Sequence, residues 1–431
     1  MYIRYPDKIY NEEYMQPYML DNTDILCIRA NMGIGKTKNL KSLFKKYNKI
    51  IIVSFRISLN KEHAKKFGFT LYSDIEGPVY DTEINNKIVV QIDSFHKITG
   101  KCDLLILDEY TYTMTHLIEY AKKREQSYQA LEEYIKGSKK VIAIDAFIKG
   151  RDVEWLERFN RKTTFIENIY KKHENKIVIN YDNNIGIFMN SIVEYLNNKN
   201  KIVVPTNNKR FIIQLEKYIK SKCDNIKGLF ITADNSNDLN TDIWNNYDIV
   251  AFSPTIVAGV SYEELHFDAC FGYFTNSSAC AEMAVQQMFR VRNIKLNEIH
   301  VCVEIDGKND FPTSREDIDE YIVNRSSCLV EGMENIKISR INKEVYRDSY
   351  YKLFLIVQRN LFRSRNDYFD RLKFLLSTQG IKITNKIYTE EEKLTNIQIN
   401  KEIRKYGRDC NKEYKDNINN KMIELDDIDF E

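Results

Sequence analysis

The sequence holds no apolar run long enough to cross a membrane, and Met1 to Met19 lacks the apolar stretch that a secretion signal needs. Its cysteines, Cys27, Cys102, Cys223, Cys270, Cys280, Cys302, Cys328 and Cys410, form no C-x-x-C pair, and none has a histidine at metal-ligand spacing. That excludes a sequence-readable zinc site or disulfide framework and leaves buried, reduced thiols in a soluble protein kept inside a cell as the expectation. An excess of one charge is also missing: 64 basic residues face 62 acidic ones, a net charge of +2. Any surface for nucleic acid must then be a local groove, because the chain as a whole is not a polycation. Lys122-Lys123-Arg124 is too short to argue for nuclear import. Glycine (15) and proline (6) are scarce, a bias of composition more than a structural demand.

What is present is ordinary for a globular protein, 43% hydrophobic and 29% charged residues over 431 positions, enough for two or three domains. The chain is organised around Asp24 to Thr37, DILCIRANMGIGKT. An apolar run, Ile25 to Ile28, predicts a buried strand. A turn through Arg29, Ala30, Asn31, Met32, Gly33, Ile34 and Gly35 follows, and Lys36-Thr37 heads a helical pattern. This is the layout of a phosphate-binding loop. A helix start offers unpaired N–H groups and a positive dipole end to a triphosphate. Gly33 and Gly35 let the backbone close on phosphates, Lys36 neutralises their oxygens, and the Thr37 hydroxyl suits Mg²⁺. The first position of the usual pattern carries Ala30 in place of glycine.

Further apolar runs alternate with helical patterns: Lys49–Phe55, Lys87–Gln91, Asp103–Leu107 and Val141–Ile144. Continuous apolar strands separated by helices predict a parallel sheet covered on both faces, with ligands at the carboxyl ends of its strands. At one such end stand Asp108 and Glu109, suited to hold Mg²⁺ and to polarise an attacking water. The pattern recurs from residue 181, with strands at Lys201–Val204, Gly228–Ile231, Asp248–Phe252 and His266–Phe274 but no second phosphate loop. It closes on Gln286-Gln287-Met288-Phe289-Arg290-Val291-Arg292, whose arginines suit the charge of a transferring phosphoryl group held by the other lobe.

In chain order, ANMGIGKT (30–37), VSFRISL (53–59), QIDSFHKI (91–98), LLILDEY (104–110), IAIDAF (142–147), FSPTIVAGVSYEELHFDACFGYF (252–274) and QQMFRVR (286–292) resemble the motif series of superfamily 2 helicases. More narrowly they resemble the herpesvirus-type replication origin-binding helicases of large DNA viruses. The resemblance covers about residues 21–305 and implies an α/β fold of two RecA-like P-loop lobes with parallel sheets, followed by a mostly helical C-terminal region. The implied segments are a lead-in at 1–20, lobe 1 at 21–180, lobe 2 at 181–308 and the helical region at 309–431 with an acidic tail. ATP and Mg²⁺ are the implied cofactors. The implied partner is single-stranded or forked DNA, with RNA open, and replication proteins such as a primase or polymerase are candidates. Carried over by position, Gln287, Arg290 and Arg292 match the last motif, one arginine acting as the finger. Arg56, Ser94, Thr206, Thr232 and Thr255 fall where such proteins touch the strand backbone, and Gly259 where the segment turns back to the nucleotide. The host cytoplasm or nucleus is the expected compartment if the source is viral.

Beyond Asn309 the alternation stops. Helical spacing carries an aromatic stripe (Tyr346, Tyr350, Tyr351, Phe354, Phe362) interleaved with Arg347, Lys352, Arg359, Arg363 and Arg365. Such a stripe reads as core beside a solvated face before it reads as a base-stacking platform. The expected activity is an ATP-driven DNA helicase or translocase in viral-type replication. An RNA helicase or transcription-release ATPase of the same superfamily stays open, as does an ATP-switched scaffold without turnover.

Overall fold

The computed structural model describes residues 4–18, 20–232, 241–253, 261–277, 279–307, 309–325, 336, 347–403 and 405–406. Thr255, Gly259, Tyr346, Cys328, Cys410 and the acidic tail lie outside these residues.

The first half supplies β1 (Lys8–Tyr10), β2 (Ile25–Ala30), β3 (Ile50–Ser54), β4 (Thr70–Leu71), β5 (Tyr80–Asp81), β6 (Lys87–Gln91), β7 (Ile98–Thr99), β8 (Leu104–Asp108), β9 (Lys140–Asp145) and β10 (Thr163–Asn168). Eight of them form one parallel sheet in the order β1-β10-β2-β9-β8-β3-β6-β4, while β5 and β7 pair apart. The helices are α1 (Lys36–Asn39), α2 (Ile57–Phe67), α3 (Tyr110–Glu119), α4 (Arg124–Gly137) and α5 (Gly150–Glu157). Because side chains alternate along a strand, each apolar run feeds two cores. Ile51, Val53, Leu105 and Leu107 pack on one face, and Ile50, Ile52, Leu104 and Ile106 on the other.

The second half repeats the design. Its strands are β11 (Ile177–Asn180), β12 (Ile202–Pro205), β13 (Gly228–Ile231), β14 (Ile249–Phe252), β15 (Ala269–Thr275), β16 (Glu298–Glu304) and β17 (Lys382–Asn385). They form a parallel sheet in the order β13-β14-β12-β15-β16-β11-β17, flanked by α6 (Ile185–Asn197), α7 (Lys209–Lys222) and α8 (Ala281–Met288). Two RecA-like α/β lobes are therefore present, as expected. Further helices are α9 (Arg315–Arg325), α10 (Ser349–Asn366) and α11 (Tyr368–Thr378), and residues 390–403 are helical as well.

Several elements depart from the sequence expectation; β10 and β16, for instance, fall where no strand is expected. Lys8–Tyr10, inside the lead-in, is an edge strand beside β10. The second sheet takes β11 ahead of residue 181 and recruits β17 from the region expected to be helical. β11 falls within Glu174–Asn184, where the sequence pattern reads as a strand-bearing crossover, whereas β1 and β17 are short, partly polar strands whose pairing depends on a distant neighbour, so local pattern carries no signal for them. The aromatic stripe of α10 resolves as core: Tyr350, Tyr351, Phe354 and Phe362 are buried. Their cluster is continuous with Leu105 of the first lobe and Val285 of the second.

Candidate active site between the lobes

The phosphate loop leaves β2 at Ala30 and turns through Gly33 (φ 79°) and Gly35 (φ 83°), both left-handed, where a Cβ would be strained. Helix α1 is a single turn, shorter than its Lys/Leu pattern predicts, and passes into a 3₁₀ turn at Leu40–Ser42. Its start at Gly35 has no side-chain cap. Lys36 Nζ donates to the carbonyls of Ala30 (2.6 Å) and Asn31 (3.2 Å), filling the cradle. Burial lowers its pKa against the opposing fields of Glu109, Asp145 and Asp108. Met32 and Ile34 send their side chains into the core, so only their backbone faces the loop's concavity. Asn31 turns away: its Nδ2 donates to Tyr170 O (2.7 Å) and its Oδ1 accepts from Gln379 Nε2 (2.7 Å). Thr37 is half-buried beside Lys36.

The lead-in braces this loop. Met15 N donates to Ile34 O (3.2 Å) and Tyr18 Oη to Lys36 O (2.8 Å). From the segment joining the lobes, Lys172 Nζ donates to Gly33 O (2.9 Å), and His173 stacks on Phe289 with ring centroids 4.4 Å apart.

At the end of β8, Asp108 is buried with His63 Nε2 of α2 at 2.7 Å from its Oδ2. Burial alone would raise this carboxyl; the bond and field of His63, then Lys36 and the Glu109 amide, hold it below the usual range. Glu109 sits in the left-handed region (φ 46°), an uncommon posture for a non-glycine residue that throws its carboxylate toward the second lobe. There Gln286 Nε2 of α8 donates to Glu109 Oε2 at 2.8 Å. Asp145, at the end of β9, accepts from the amides of Thr111 (2.7 Å) and Phe147 (2.9 Å). Burial, then the Glu109 charge, pushes its pKa up to about 7.

Gln287, the glutamine matched by position, points elsewhere: its Nε2 donates to Thr206 O at 3.3 Å. Neighbours on a helix diverge by about 100°, so only one of the pair can face the acid. The two arginines follow on a strand-like bridge, where Tyr262 N donates to Arg290 O and Arg292 N to Tyr262 O, each at 2.9 Å. Arg292 lies across the phosphate loop, its Nη1 3.6 Å from where a Cβ on Gly33 would stand, and its Nε donates to Ser261 Oγ (3.0 Å). Arg290 is buried, and its Nε has no hydrogen-bond partner among the described residues. Burial and the nearby Arg290 charge bring Arg56 and Arg292 each down to about 10.

Of the residues expected at the strand, Arg56 precedes α2 facing Arg290, and Ser94 is half-buried in the 3₁₀ turn Ile92–Lys97. Thr206 and Thr232 are buried. Sequence reasoning passed over His63, Lys172 and Gln379, and included Asp145 in the IAIDAF stretch without a role; the fold brings all four to the loop and acids, from as far as 348 residues away. Among the described residues no cluster of His, Cys, Asp or Glu forms a metal cage, and Cys27, Cys102, Cys223, Cys270, Cys280 and Cys302 are buried free thiols. No helix of the described residues is long and apolar enough to cross a membrane.

Residues 12–171 and 168–315 match the model of a family described as Origin of replication binding protein. The chain belongs to that family. Relatives of this origin-binding family member include a protein of African swine fever virus (isolate Pig/Kenya/KEN-50/1950) named, provisionally, as a helicase/primase complex protein. It is 28% identical over 405 residues, 87% of this chain and 38% of the relative. The replication origin-binding protein of human herpesvirus 6B (strain Z29) is 27% identical over 307 residues, 64% of this chain and 38% of the relative. The chain thus spans 38% of the length of each of these relatives. Solved structures that resemble it at a distance include Mss116p bound to ssRNA and AMP-PNP, with a TM-score of 0.47, 13% identity, and 84% of this chain and 89% of that chain covered. Another is the Mycobacterium smegmatis helicase Lhr bound to ssDNA and AMP-PNP, with a TM-score of 0.43, 14% identity, and 71% of this chain and 46% of that chain covered.

Proposed function

We propose that this chain is an ATP-hydrolysing motor that moves on single-stranded DNA during replication of a viral-type genome. The observation that carries the reading is the 2.8 Å bond from Gln286 to Glu109, which joins the last motif of one lobe to the acid of the other. We divide the lobes at the turn that Lys176 N closes on His173 O (3.0 Å), between β10 and β11, with β17 counted to the second.

The residues fit a triphosphate with its cation. The loop is left-handed at both glycines, its helix start is uncapped, and Lys36 lies in the concavity with only carbonyl partners. Thr37 and Asp108 would hold Mg²⁺, which supplies charge neutralisation at the phosphates when bound. Glu109 would accept a proton from the attacking water as the bond from the γ-phosphorus to the β,γ-bridging oxygen breaks. Gln286 orients that carboxylate, and Gln287 buttresses the second lobe through Thr206. Arg292, lying over Gly33, is the finger on the transferring group, and Arg290 sets the field beside it. Arg56, Ser94 and Thr255 would grip the strand backbone, Thr206 and Thr232 shaping that surface from beneath, and Gly259 would turn the chain back to the nucleotide. Backbone gripping reads little sequence, so origin recognition is not assigned to these residues.

Steady-state ATP hydrolysis with and without single-stranded DNA, wild type beside Glu109→Gln, tests the reading. DNA-stimulated turnover that falls about 10²- to 10⁴-fold in the variant supports it. Nucleotide binding without turnover on any polynucleotide would sink it in favour of a scaffold. Stimulation by RNA alone would keep the chemistry and change the strand.

A further inference from the structure

A cavity of about 560 Å³, within the range of ligand sites, lies where the C-terminal helices cross the two lobes, and no residue of the phosphate loop lines it. Its floor is the seam between lobes. Lys149 of the first lobe stands 3.6 Å from Glu282 of α8, and Arg371 of α11 binds the same carboxylate at 2.8 Å. Its rim is fastened: Asn366 exchanges hydrogen bonds with the main chain of Phe311 (both 2.9 Å), and Asn309 donates to Arg365 O (3.3 Å). Two features of its lining serve no packing role. Phe374 projects into it with 56% of its surface exposed, one side covered by the Arg371 guanidinium at 5.2 Å. Arg363, exposed on α10, lines it as well. Behind Arg363 stand Arg359 and Arg151, whose pKa values burial lowers first and the other arginines of the group lower further. Asp310 and Asp367 on the rim offset part of this charge.

An exposed ring backed by a guanidinium beside mutually repelling arginines is the chemistry that receives an unpaired base and its flanking phosphates. We propose that this cavity is a second contact for single-stranded nucleic acid, in which a base stacks on Phe374 and phosphates meet Arg363 and the arginines behind it. The aromatic stripe of α10 is core, so the stacking surface sits one helix later than the sequence pattern places it. The inference rests on the motor reading above and adds a strand contact whose stacking ring, Phe374, and front arginine, Arg363, lie beyond residue 315, where the family match ends, while Lys149, Arg151, Asn309, Asp310 and Thr313 of the same site lie within it.

The test uses the full chain and an oligothymidylate of about 20 nucleotides followed by fluorescence anisotropy. Phe374→Ala is expected to weaken binding about 5- to 30-fold, and Arg363→Ala to reduce the salt slope by about one. Both side chains are exposed, so the unfolding temperature should hold. ATP turnover without DNA should be unchanged, and the DNA needed for half-maximal stimulation should rise in step with the affinity loss. Wild-type affinity in both variants, beside weakened binding in Arg56→Ala, would overturn the cavity and leave the motor standing. No strand binding by the wild type would remove both. Loss of an oligoglutamate probe from the variants with strand affinity intact would overturn it in favour of an acidic protein partner.

Discussion

At the end of β2 and at the end of β12 the chain meets the same task, a buried parallel strand feeding a helix, and handles it in opposite ways. In the first lobe it passes through Gly33 and Gly35, both left-handed, and starts α1 with no side chain on its free amides. In the second it passes through Thr206-Asn207-Asn208, and the Asn208 carboxamide accepts from the amides of Arg210 (2.9 Å) and Phe211 (3.3 Å) at the start of α7. One helix start has no side-chain cap; the other is closed by its own. The second lobe, having no loop, sends Gln286 and Arg292 to the first. Division of labour between two similar sheets thus rests on a few residues at a strand end.

The largest test of that division removes the reach of the second lobe. Arg292→Ala should lower DNA-stimulated kcat about 10³-fold while nucleotide affinity changes less than about tenfold. Lys209→Ala, at the capped start of α7, should leave kcat unaltered. Equal losses in both variants would mean that the second lobe acts through general stability and not through a finger.

His63 tests whether the first lobe's acid needs its own support. His63→Ala leaves Asp108 buried without its 2.7 Å partner. By analogy with residues that orient metal ligands, turnover should drop roughly 10- to 100-fold and the Mg²⁺ needed for half-maximal rate should rise about tenfold. A fall in rate with an unchanged Mg²⁺ requirement would assign His63 to packing alone.

What the sequence discloses about this site follows from the physics of each part. Strands β2, β3, β8, β9, β12 and β14 are legible because burial on both faces forces continuous apolar runs. Edge strand β1 and recruited strand β17 are not, since a distant neighbour decides whether three or four mixed residues pair. Gly33, Gly35, Lys36, Asp108 and Glu109 stand at the end of their own strands, so spacing reveals them. His63, Gln379 and the bracing Met15 and Tyr18 reach the site through tertiary contacts, for which no local pattern exists. The choice between Gln286 and Gln287 lies in the rotation of α8, which its sequence leaves open.

Asp145 sharpens the comparison through pH. Its folded pKa of about 7 lies above the ordinary 3.8, because burial and Glu109 disfavour the charged form. Between those values the folded chain keeps a proton that the unfolded chain has released. Stability from this group is therefore fully present below about 4, falls as pH rises, and levels off above about 7. Asp145→Asn removes the titration, so its unfolding free energy, read from urea titrations, should gain on wild type from pH 5 to pH 8 by on the order of 1–3 kcal/mol. A constant difference across that range would place the Asp145 proton elsewhere.

The smallest expected effect lies at the second junction itself. Asn208→Ala frees two amides at the start of α7 without touching the cleft, and should cost about 1 kcal/mol of stability, a shift of a few degrees at most in Tm. Turnover per folded molecule should be unchanged, because the cap serves the helix and not a ligand. The informative variant is Asn208→Gly, which keeps the backbone options of a cap while removing its side chain and should cost only a few tenths of a kcal/mol. If that variant bound added phosphate at the second lobe, the cap alone would be what keeps the junction closed. If it bound none, the concavity of the Gly33–Gly35 turn, and not the open helix start, is what the first lobe offers a triphosphate.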